Sequence, residues 1–204
     1  MAEVRLLLWD VGGVILSNGW DRDARRAAAE RFGLDPDELD RRHDRVAEEL
    51  ETGRSGWDAY LAYTVFHTPR AFSPEAFRRF VWERSTVNGP AFAVARELRE
   101  GGRYVMAALN NESRELNEFR IERFRLREVF HLFLSSCYTG RRKPDPEAFR
   151  YALSLTQSAP DESLLVDDRT ENVEAAARLG LRTVRVRDPG RLREDLLRAG
   201  ISTG

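Results

Sequence analysis

Five short apolar runs, each about the length of a β-strand, constrain the fold of this chain most strongly. A strand that is apolar along its whole length is typical of a parallel sheet that is buried on both faces. The later runs alternate with helical patterns, which predicts helices on both sides of that sheet. We therefore expect a doubly wound, Rossmann-like α/β fold. The five runs are Val4–Trp9, Tyr104–Leu109, His131–Leu134, Leu164–Val166 and Thr183–Val186.

Residues 18–87 interrupt this alternation, because they carry apolar residues at helical spacing and no convincing strand. We predict an all-helical cap domain at 18–87, inserted into a core domain made of 1–17 and 88–204. An insertion that follows the first strand lies at the carboxyl end of the sheet, where ligands bind in open α/β sheets. The helical segments are Asp21–Phe32, Pro36–Glu51, Trp57–Phe66 and Pro74–Arg84.

Composition narrows the range of functions. A chain of 204 residues with 42% hydrophobic content can bury one good core. Its 33 basic and 34 acidic residues give a net charge of −1, so no overall field would recruit nucleic acid or an anionic membrane. The single cysteine, Cys137, fits a reducing compartment and excludes an internal disulfide framework. We expect a soluble cytoplasmic protein that binds neither nucleic acid nor membrane.

The first apolar run ends in Asp10, which is followed by Val11, Gly12 and Gly13. A carboxylate at the end of a buried strand is costly unless a cation, a metal ion or hydrogen-bond donors accompany it. Asp10 is therefore a candidate nucleophile or metal ligand. The glycines would let the backbone approach a ligand closely.

A second carboxylate group follows the run Leu164–Val166, where Asp167 and Asp168 are adjacent and Asn172 lies in the next helix. Two neighbouring carboxylates repel each other, and a hard cation such as Mg²⁺ explains their placement. A helix cap accounts for one of them but not for both. The sequence thus predicts a magnesium site.

Lysine occurs once in this chain, at Lys143, whereas the other 32 Lys and Arg positions are all arginine. A lysine ammonium is a compact point charge, and it suits a crowded pocket of carboxylates and phosphate better than the broad guanidinium does. Asp10, Lys143 and the Asp167–Asp168 pair together describe a magnesium-assisted carboxylate nucleophile, with the lysine holding the transferred phosphate.

These residues resemble the motifs of the haloacid dehalogenase (HAD) superfamily over nearly the whole chain. Asp10 is similar to the first motif, Tyr104–Asn111 to the second, Lys143 to the third and Val166–Asp168 to the fourth. The resemblance implies a nucleophilic Asp10 that forms an aspartyl-phosphate, bridged to the phosphate by Lys143. It also implies a Mg²⁺ ion bound by Asp10, by the Gly12 carbonyl and by Asp167 and Asp168.

Two positions depart from the family pattern. Gly12 stands where the phosphatases carry a second aspartate that acts as general acid and base, and Leu109 stands where they carry a serine or threonine that binds phosphate. The amides of Asn110 and Asn111 are candidates to replace that hydroxyl. Arg142, next to Lys143, is a further candidate for attracting the anionic substrate, as is the backbone at Gly12.

The resulting prediction is a Mg²⁺-dependent phosphatase that acts on a small phosphorylated metabolite. The Asp-x-Gly form of the first motif is similar to the α-glucose-1-phosphatase-like branch, which implies a sugar phosphate. The alternatives are a 2-haloacid dehalogenase, whose halide leaves without a proton, and a catalytically weakened member with a binding role. Oligomeric state stays open.

Arginines and a histidine outside the motifs have patterns that indicate where they lie. Arg120, Arg123, Arg125 and Arg127 have the pattern of a basic, solvated helix face. His43 is interpreted as structural or exposed, with contact to the substrate as the alternative. Candidates for lining the entrance of the site are Asn18, Trp20, Arg22 and Arg25.

Overall fold

The computed structural model describes residues 2–202, in which five parallel strands form one sheet in the order β3-β2-β1-β4-β5. Each of the five predicted apolar runs forms one of these strands, and the doubly wound α/β fold is confirmed. Trp9 pairs with Ala108 on one side and with Val166 on the other, so the central strands end at a common edge. The strands are β1 (Leu6–Trp9), β2 (Val105–Ala108), β3 (Leu132–Phe133), β4 (Ser163–Asp167) and β5 (Arg182–Arg185).

Ten α-helices lie within the described residues; four of them coincide with the predicted segments of the insertion, and five more lie in the predicted alternation with the later strands. The tenth, α7, has four residues, which is too short to show a period. The helices are α1 (Arg22–Phe32), α2 (Pro36–Glu51), α3 (Trp57–Thr64), α4 (Pro74–Glu83), α5 (Gly89–Glu100), α6 (Arg114–Arg123), α7 (Ser136–Thr139), α8 (Pro146–Thr156), α9 (Thr170–Arg178) and α10 (Leu192–Arg198).

Helices cover both faces of the sheet. Successive strand residues point to opposite faces, so each face has its own apolar cluster. Leu7 and Trp9 of β1 pack into one apolar cluster with residues of α5, α6 and α10. Leu6 and Leu8 pack into a second cluster with residues of α8 and α9. Strand β1 is fully buried, so the polar residues that follow it lie at the buried carboxyl edge of the sheet.

Helices α1 to α4 form the helical insertion, whose apolar cluster contains Trp20, Trp57, Tyr60 and Phe77. Trp20 contacts Trp57 and Phe77 edge to face, with ring centroids 5.7 and 5.8 Å apart. Leu116 of α6 joins the same cluster, so the insertion is packed against the core. The domain boundaries at 17/18 and 87/88 stay a prediction.

The two connections between the core and the insertion lie side by side. Leu16 and Val87 form an antiparallel bridge, and the Ser17 N–H donates to the Thr86 carbonyl at 2.8 Å. The insertion therefore begins and ends at one point, next to the carboxyl end of β1. Within residues 2–202, the helices are all too short or too polar to cross a membrane.

Candidate active site

Asp10 lies directly after β1 and is 8% exposed. Its backbone N–H donates to the Val166 carbonyl at 2.8 Å, which continues the β1–β4 pairing by one residue. Its Oδ1 accepts a hydrogen bond from the Val11 N–H at 2.8 Å. The described residues provide no hydrogen-bond donor for its second carboxylate oxygen, so this oxygen is available to a ligand.

Lys143 approaches Asp10 from the loop between α7 and α8 and is 3% exposed. Its Nζ lies 3.3 Å from Asp10 Oδ1 and donates a hydrogen bond to Asp167 Oδ2 at 2.6 Å. Burial alone would lower the pKa of Lys143, but the carboxylates of Asp10 and Asp167 outweigh burial and raise it. Lys143 is therefore a fixed positive charge between the first and fourth motifs.

Negative charge exceeds positive charge in this cluster. Asp10, Asp167 and Asp168 offer carboxylate oxygens within 4.8 Å of one another, and Lys143 is the ammonium beside them. Burial raises the pKa of Asp10 to about 7; Lys143 opposes this rise, and the two other aspartates add to it. Burial and Asp167 likewise raise the pKa of Asp168. A bound cation would offset the repulsion and keep all three carboxylates ionised.

Asp167 is fully buried and held by several donors. Its Oδ1 accepts hydrogen bonds from the Arg169 N–H at 2.9 Å and from Asn172 Nδ2 at 3.0 Å. Asn172 Nδ2 also lies 3.1 Å from Oδ2, which already accepts from Lys143. These contacts fix the orientation of Asp167 and of the lysine that it binds.

Asp168, in contrast, has a buried Oδ1 without a hydrogen-bond partner in the described residues. Its carboxylate lies against Gly13, whose φ of +77° favours glycine and where a methyl group would collide with the carboxylate. An unpartnered buried oxygen beside two further carboxylates fits a hard divalent cation such as Mg²⁺, which prefers oxygen ligands. Asp10 and Asp168 are the side chains best placed to hold it.

The loop after β2 contains the residues of the second motif. Leu109 is buried in the apolar cluster beneath α8 and α9, away from the cleft. Asn110 lines the cleft, and its amide bonds with Ser135 Oγ at 2.7 Å and Asn117 Oδ1 at 3.1 Å. The polar loop after Leu109, rather than Leu109 itself, therefore faces the ligand space.

Asn111 is bound to the backbone of Lys143. Its Nδ2 donates to the Lys143 carbonyl at 2.7 Å, and its Oδ1 accepts from the Lys143 N–H at 2.9 Å. This pair of bonds joins the second motif to the third. Asn111, which was predicted to bind substrate, thus holds the loop that carries Lys143 in position.

Cap residues cover the cleft, which has a volume of about 90 Å³. Arg142 of the core reaches Glu51 at the end of α2, with Nη2 2.9 Å from Oε2. Burial raises the pKa of Glu51, and Arg142 opposes that rise. Of the proposed entrance residues, Asn18 and Trp20 line the cleft, whereas the exposed Arg22 and the buried Arg25 both pair with Asp40 of the cap.

Arg120 was predicted on a solvated helix face, and this prediction is wrong because Arg120 is 1% exposed. Its Nη1 lies 3.3 Å from Glu112 Oε2, its Nη2 donates to the Ser17 carbonyl at 2.8 Å, and its Nε donates to Ser85 Oγ at 3.1 Å. Arg120 lies one helical turn after Leu116, which is fully buried, and that spacing is a signal that the residue faces inward.

His43, for which the sequence left a structural, an exposed and a substrate-contacting position open, is buried and lines the cleft. It is 9% exposed and projects from α2 next to Tyr60. Burial lowers the pKa of His43 to about 3, and Arg25 adds to this effect. The imidazole is therefore neutral at neutral pH.

Comparisons with known proteins agree with this geometry. A family model described as a haloacid dehalogenase-like hydrolase matches residues 4–180. The sesquiterpene phosphatase of Aspergillus oryzae is 25% identical over 181 residues, which cover 89% of this chain and 79% of the relative. The bifunctional epoxide hydrolase 2 of Rattus norvegicus is 28% identical over 124 residues, or 59% of this chain and 22% of the relative. The chain thus matches only about a fifth of that larger protein's length.

Solved structures share the fold. A HAD family enzyme of Bacteroides thetaiotaomicron, in complex with magnesium and inorganic phosphate, superposes with a TM-score of 0.78. It is 19% identical, and the match covers 93% of this chain and 98% of that chain. An L-2-haloacid dehalogenase superposes with a TM-score of 0.61 at 22% identity, covering 90% of this chain and 84% of that chain.

Proposed function

Because the chain belongs to the haloacid dehalogenase-like hydrolase family, we propose that it is a Mg²⁺-dependent phosphatase with Asp10 as its nucleophile. One observation carries this proposal. Lys143 lies between Asp10 and Asp167, and Asp168, which has a buried oxygen without a hydrogen-bond partner in the described residues, belongs to the same cluster of carboxylates. The phosphatase name of the Aspergillus oryzae relative and the magnesium and phosphate in the Bacteroides thetaiotaomicron structure support it.

In the proposed reaction, the free carboxylate oxygen of Asp10 attacks phosphorus. A bond forms between Asp10 and phosphorus while the bond from phosphorus to the leaving-group oxygen breaks. Lys143 holds the phosphoryl group and neutralises its charge as the transition state forms. Bound Mg²⁺ would supply further neutralisation of the phosphoryl oxygens. Water then attacks the aspartyl-phosphate, which releases inorganic phosphate and restores the Asp10 carboxylate.

The leaving group must take the electron pair of the broken bond without a proton from residue 12. Since Gly12 has no side-chain acid, groups that are stable as anions are the best leaving groups; anomeric sugar phosphates release an anomeric oxygen anion of this kind, and acyl phosphates release a carboxylate. General acid catalysis contributes roughly 100- to 10,000-fold. We propose a sugar phosphate as the substrate, and a small polar cleft supports this choice.

The other residues have supporting roles in this proposal. Asn110 lines the phosphate side of the cleft, and Arg142 lies beside Lys143 at its edge. Asn111 acts by holding the Lys143 backbone. The Gly12 carbonyl remains a proposed Mg²⁺ ligand, together with Asp167. A cytoplasmic location remains a prediction from the composition.

A phosphate-release screen tests the proposal. Sugar phosphates, acyl phosphates and nucleotides are incubated with the protein in Mg²⁺ and in EDTA. We expect release in Mg²⁺ and loss of release in EDTA and in the Asp10→Asn variant, because an amide of the same shape cannot attack phosphorus. Asp161→Asn, a surface change in the turn before β4, is the matched control and keeps full activity.

Haloacid dehalogenation is the second candidate. A departing halide needs no proton, so this reaction does not require the side-chain acid that Gly12 lacks. The three clustered carboxylates disfavour it, because a metal-free reaction would leave Asp10, Asp167 and Asp168 with Lys143 as the ammonium beside them. Halide release from a 2-haloacid in EDTA, without phosphate release from any substrate, would establish the dehalogenase. Release of neither product, together with ligand binding, would establish the binding role.

A further inference from the structure

His43 of the cap has a defined hydrogen-bond arrangement on one side of its ring. Its Nδ1 lies 2.9 Å from the Tyr60 hydroxyl, and the Trp20 indole N–H donates to the same hydroxyl at 2.6 Å. Tyr60 is 1% exposed, so its hydroxyl is shielded from solvent and bonds to these side chains. The three side chains form a relay that ends at the ring of His43.

The chemistry of the three groups fixes the direction of this relay. An indole N–H can only donate, so the Tyr60 oxygen is an acceptor for Trp20. The single proton of Tyr60 then has His43 Nδ1 as its acceptor, and the imidazole proton must be on Nε2. The opposite tautomer would leave the buried Tyr60 proton without an acceptor, which is unfavourable.

The Nε2–H of His43 has no protein acceptor among residues 2–202, although His43 lines the cleft. The ring is neutral at neutral pH, since burial and then Arg25 lower the pKa of His43 to about 3. It therefore presents a neutral donor rather than a cation. A neutral donor suits an uncharged oxygen, whereas in the proposed reaction the phosphate would be held by Lys143, which lies beside Asp10.

Acceptors on the same side complement this donor. Glu51 follows His43 by eight residues on α2, so both lie on the face of the helix that meets the cleft. Asn18 lines the same space with an amide. A hydroxyl group both donates and accepts, so a carbon skeleton with several hydroxyls fits this mixture of a neutral N–H, a carboxylate and an amide.

We propose that His43 determines specificity by donating Nε2–H to a hydroxyl oxygen of the leaving group, with Tyr60 and Trp20 as positioning residues that fix its tautomer. This inference rests on the proposed phosphatase function and adds the recognition of a polyhydroxylated leaving group. It assigns to the cap a defined part in choosing the substrate.

Kinetics with two probes test the proposal. Glucose 1-phosphate carries hydroxyls on its leaving group, and p-nitrophenyl phosphate carries none. For His43→Leu we expect kcat/KM on glucose 1-phosphate to fall about 10-fold, the cost of one lost neutral hydrogen bond, with little change on p-nitrophenyl phosphate. His67→Leu is the matched control, because His67 pairs with Glu38 elsewhere in the cap and does not line the cleft.

The two probes separate two kinds of failure. If the parent protein releases phosphate from neither probe, the proposed function fails. If it cleaves both and His43→Leu lowers both rates equally or neither, then the specificity role of His43 is overturned while the phosphatase function stands.

Nitrogen-15 NMR of the histidine side chains provides a readout that needs no turnover. We expect the His43 proton on Nε2 in the parent protein and a loss of this fixed tautomer in Tyr60→Phe, which removes the donor to Nδ1. A parent protein with the proton on Nδ1 would contradict the relay. Tyr60→Phe should also raise KM for glucose 1-phosphate more than it lowers kcat.

Discussion

Lys143 combines burial with contact to two carboxylates, and these contacts leave little room for a larger cation. Its Nζ lies 2.6 Å from Asp167 and 3.3 Å from Asp10. Lys143→Arg keeps the charge but replaces a compact ammonium with a planar fork. Because misplacement by about 1 Å can cost on the order of 100-fold in rate, we expect Lys143→Arg to lose at least that much in kcat. Steady-state assays on p-nitrophenyl phosphate measure it, and parental activity in the variant would refute the role.

Gly12 is the position at which a proton donor can be restored. Its φ is outside the left-handed region, and a Cβ there would lie 3.3 Å from Asn18 Oδ1 and 3.7 Å from Arg120 Nη1. A side chain therefore fits once Asn18 moves by a few tenths of an ångström. We expect Gly12→Asp to raise the rate on simple alkyl phosphates by roughly 100-fold or more and to leave activated phosphates nearly unchanged.

Gly13 supplies the contrast for that experiment. Its φ is +77°, and a methyl group would meet the Asp168 carboxylate. Gly13→Ala should therefore lower both stability and Mg²⁺ affinity, whereas Gly12→Ala should change stability little. Chemical denaturation of the two variants distinguishes the positions, and equal stabilities would contradict the assigned backbone geometry.

At the scale of single residues, the sequence predicted which charged residues cluster better than it predicted their individual contacts. Asp10, Asp167 and Asp168 stand out because a charged residue after an apolar run needs a reason to be there, and Lys143 stands out because it is the one lysine of the chain. The inward orientation of Arg120 depends on which face of α6 meets the loop before it, and no motif specifies that. The direction of hydrogen bonds around His43 depends on Trp20 and Tyr60, which are remote in sequence.

Helix α2 contributes His43 to the cleft, and this histidine makes the folding stability of the protein depend on pH. In the folded protein, burial lowers the pKa of His43 to about 3. Arg25 and Arg142 lower it further, and Asp40 acts in the opposite direction. An unfolded histidine titrates near about 6.5. Below that pH the unfolded chain binds a proton that the folded protein does not, so folding stability falls as the pH falls.

The size of this effect is measurable by comparison with a variant that cannot titrate. Between pH 7 and pH 5 we expect His43 to remove about 2 kcal/mol of stability from the parent protein. His43→Gln should lack this contribution, so the free energies of unfolding of the two proteins should converge on acidification. Urea unfolding at both pH values measures the difference, and a constant difference would contradict the lowered pKa.

The elements themselves follow from local patterns. Asp21, Asp35, Ser73 and Asp145 each accept a backbone N–H at the start of a helix, as their residue types predict. Strand positions follow from apolar runs. Helix α7 could not be predicted, since its four residues are held by contacts with the loop after β2 rather than by periodicity.

For the whole molecule, Mg²⁺ should act as a stabilising ligand. A cation that binds the folded state alone adds about 2.7 kcal/mol at a concentration 100 times its dissociation constant, which corresponds to a rise of several degrees in Tm for a chain of this size. We expect this rise in the parent protein and its loss in Asp168→Asn, with Asp161→Asn as control. Thermal scans with and without Mg²⁺ decide it, and an equal rise in all three proteins would place the cation elsewhere.

The paired connections at Ser17 and Thr86 have a consequence for engineering. The polypeptide leaves the core and returns to it at Ser17 and Thr86, which two hydrogen bonds of 2.8 and 3.0 Å join, so the two ends of the inserted segment are held together. We expect that helical blocks from related hydrolases can be grafted at this junction if they also pack against Leu116 of α6. A grafted block would retain the carboxylates and the lysine of the host and import the substrate preference of the donor.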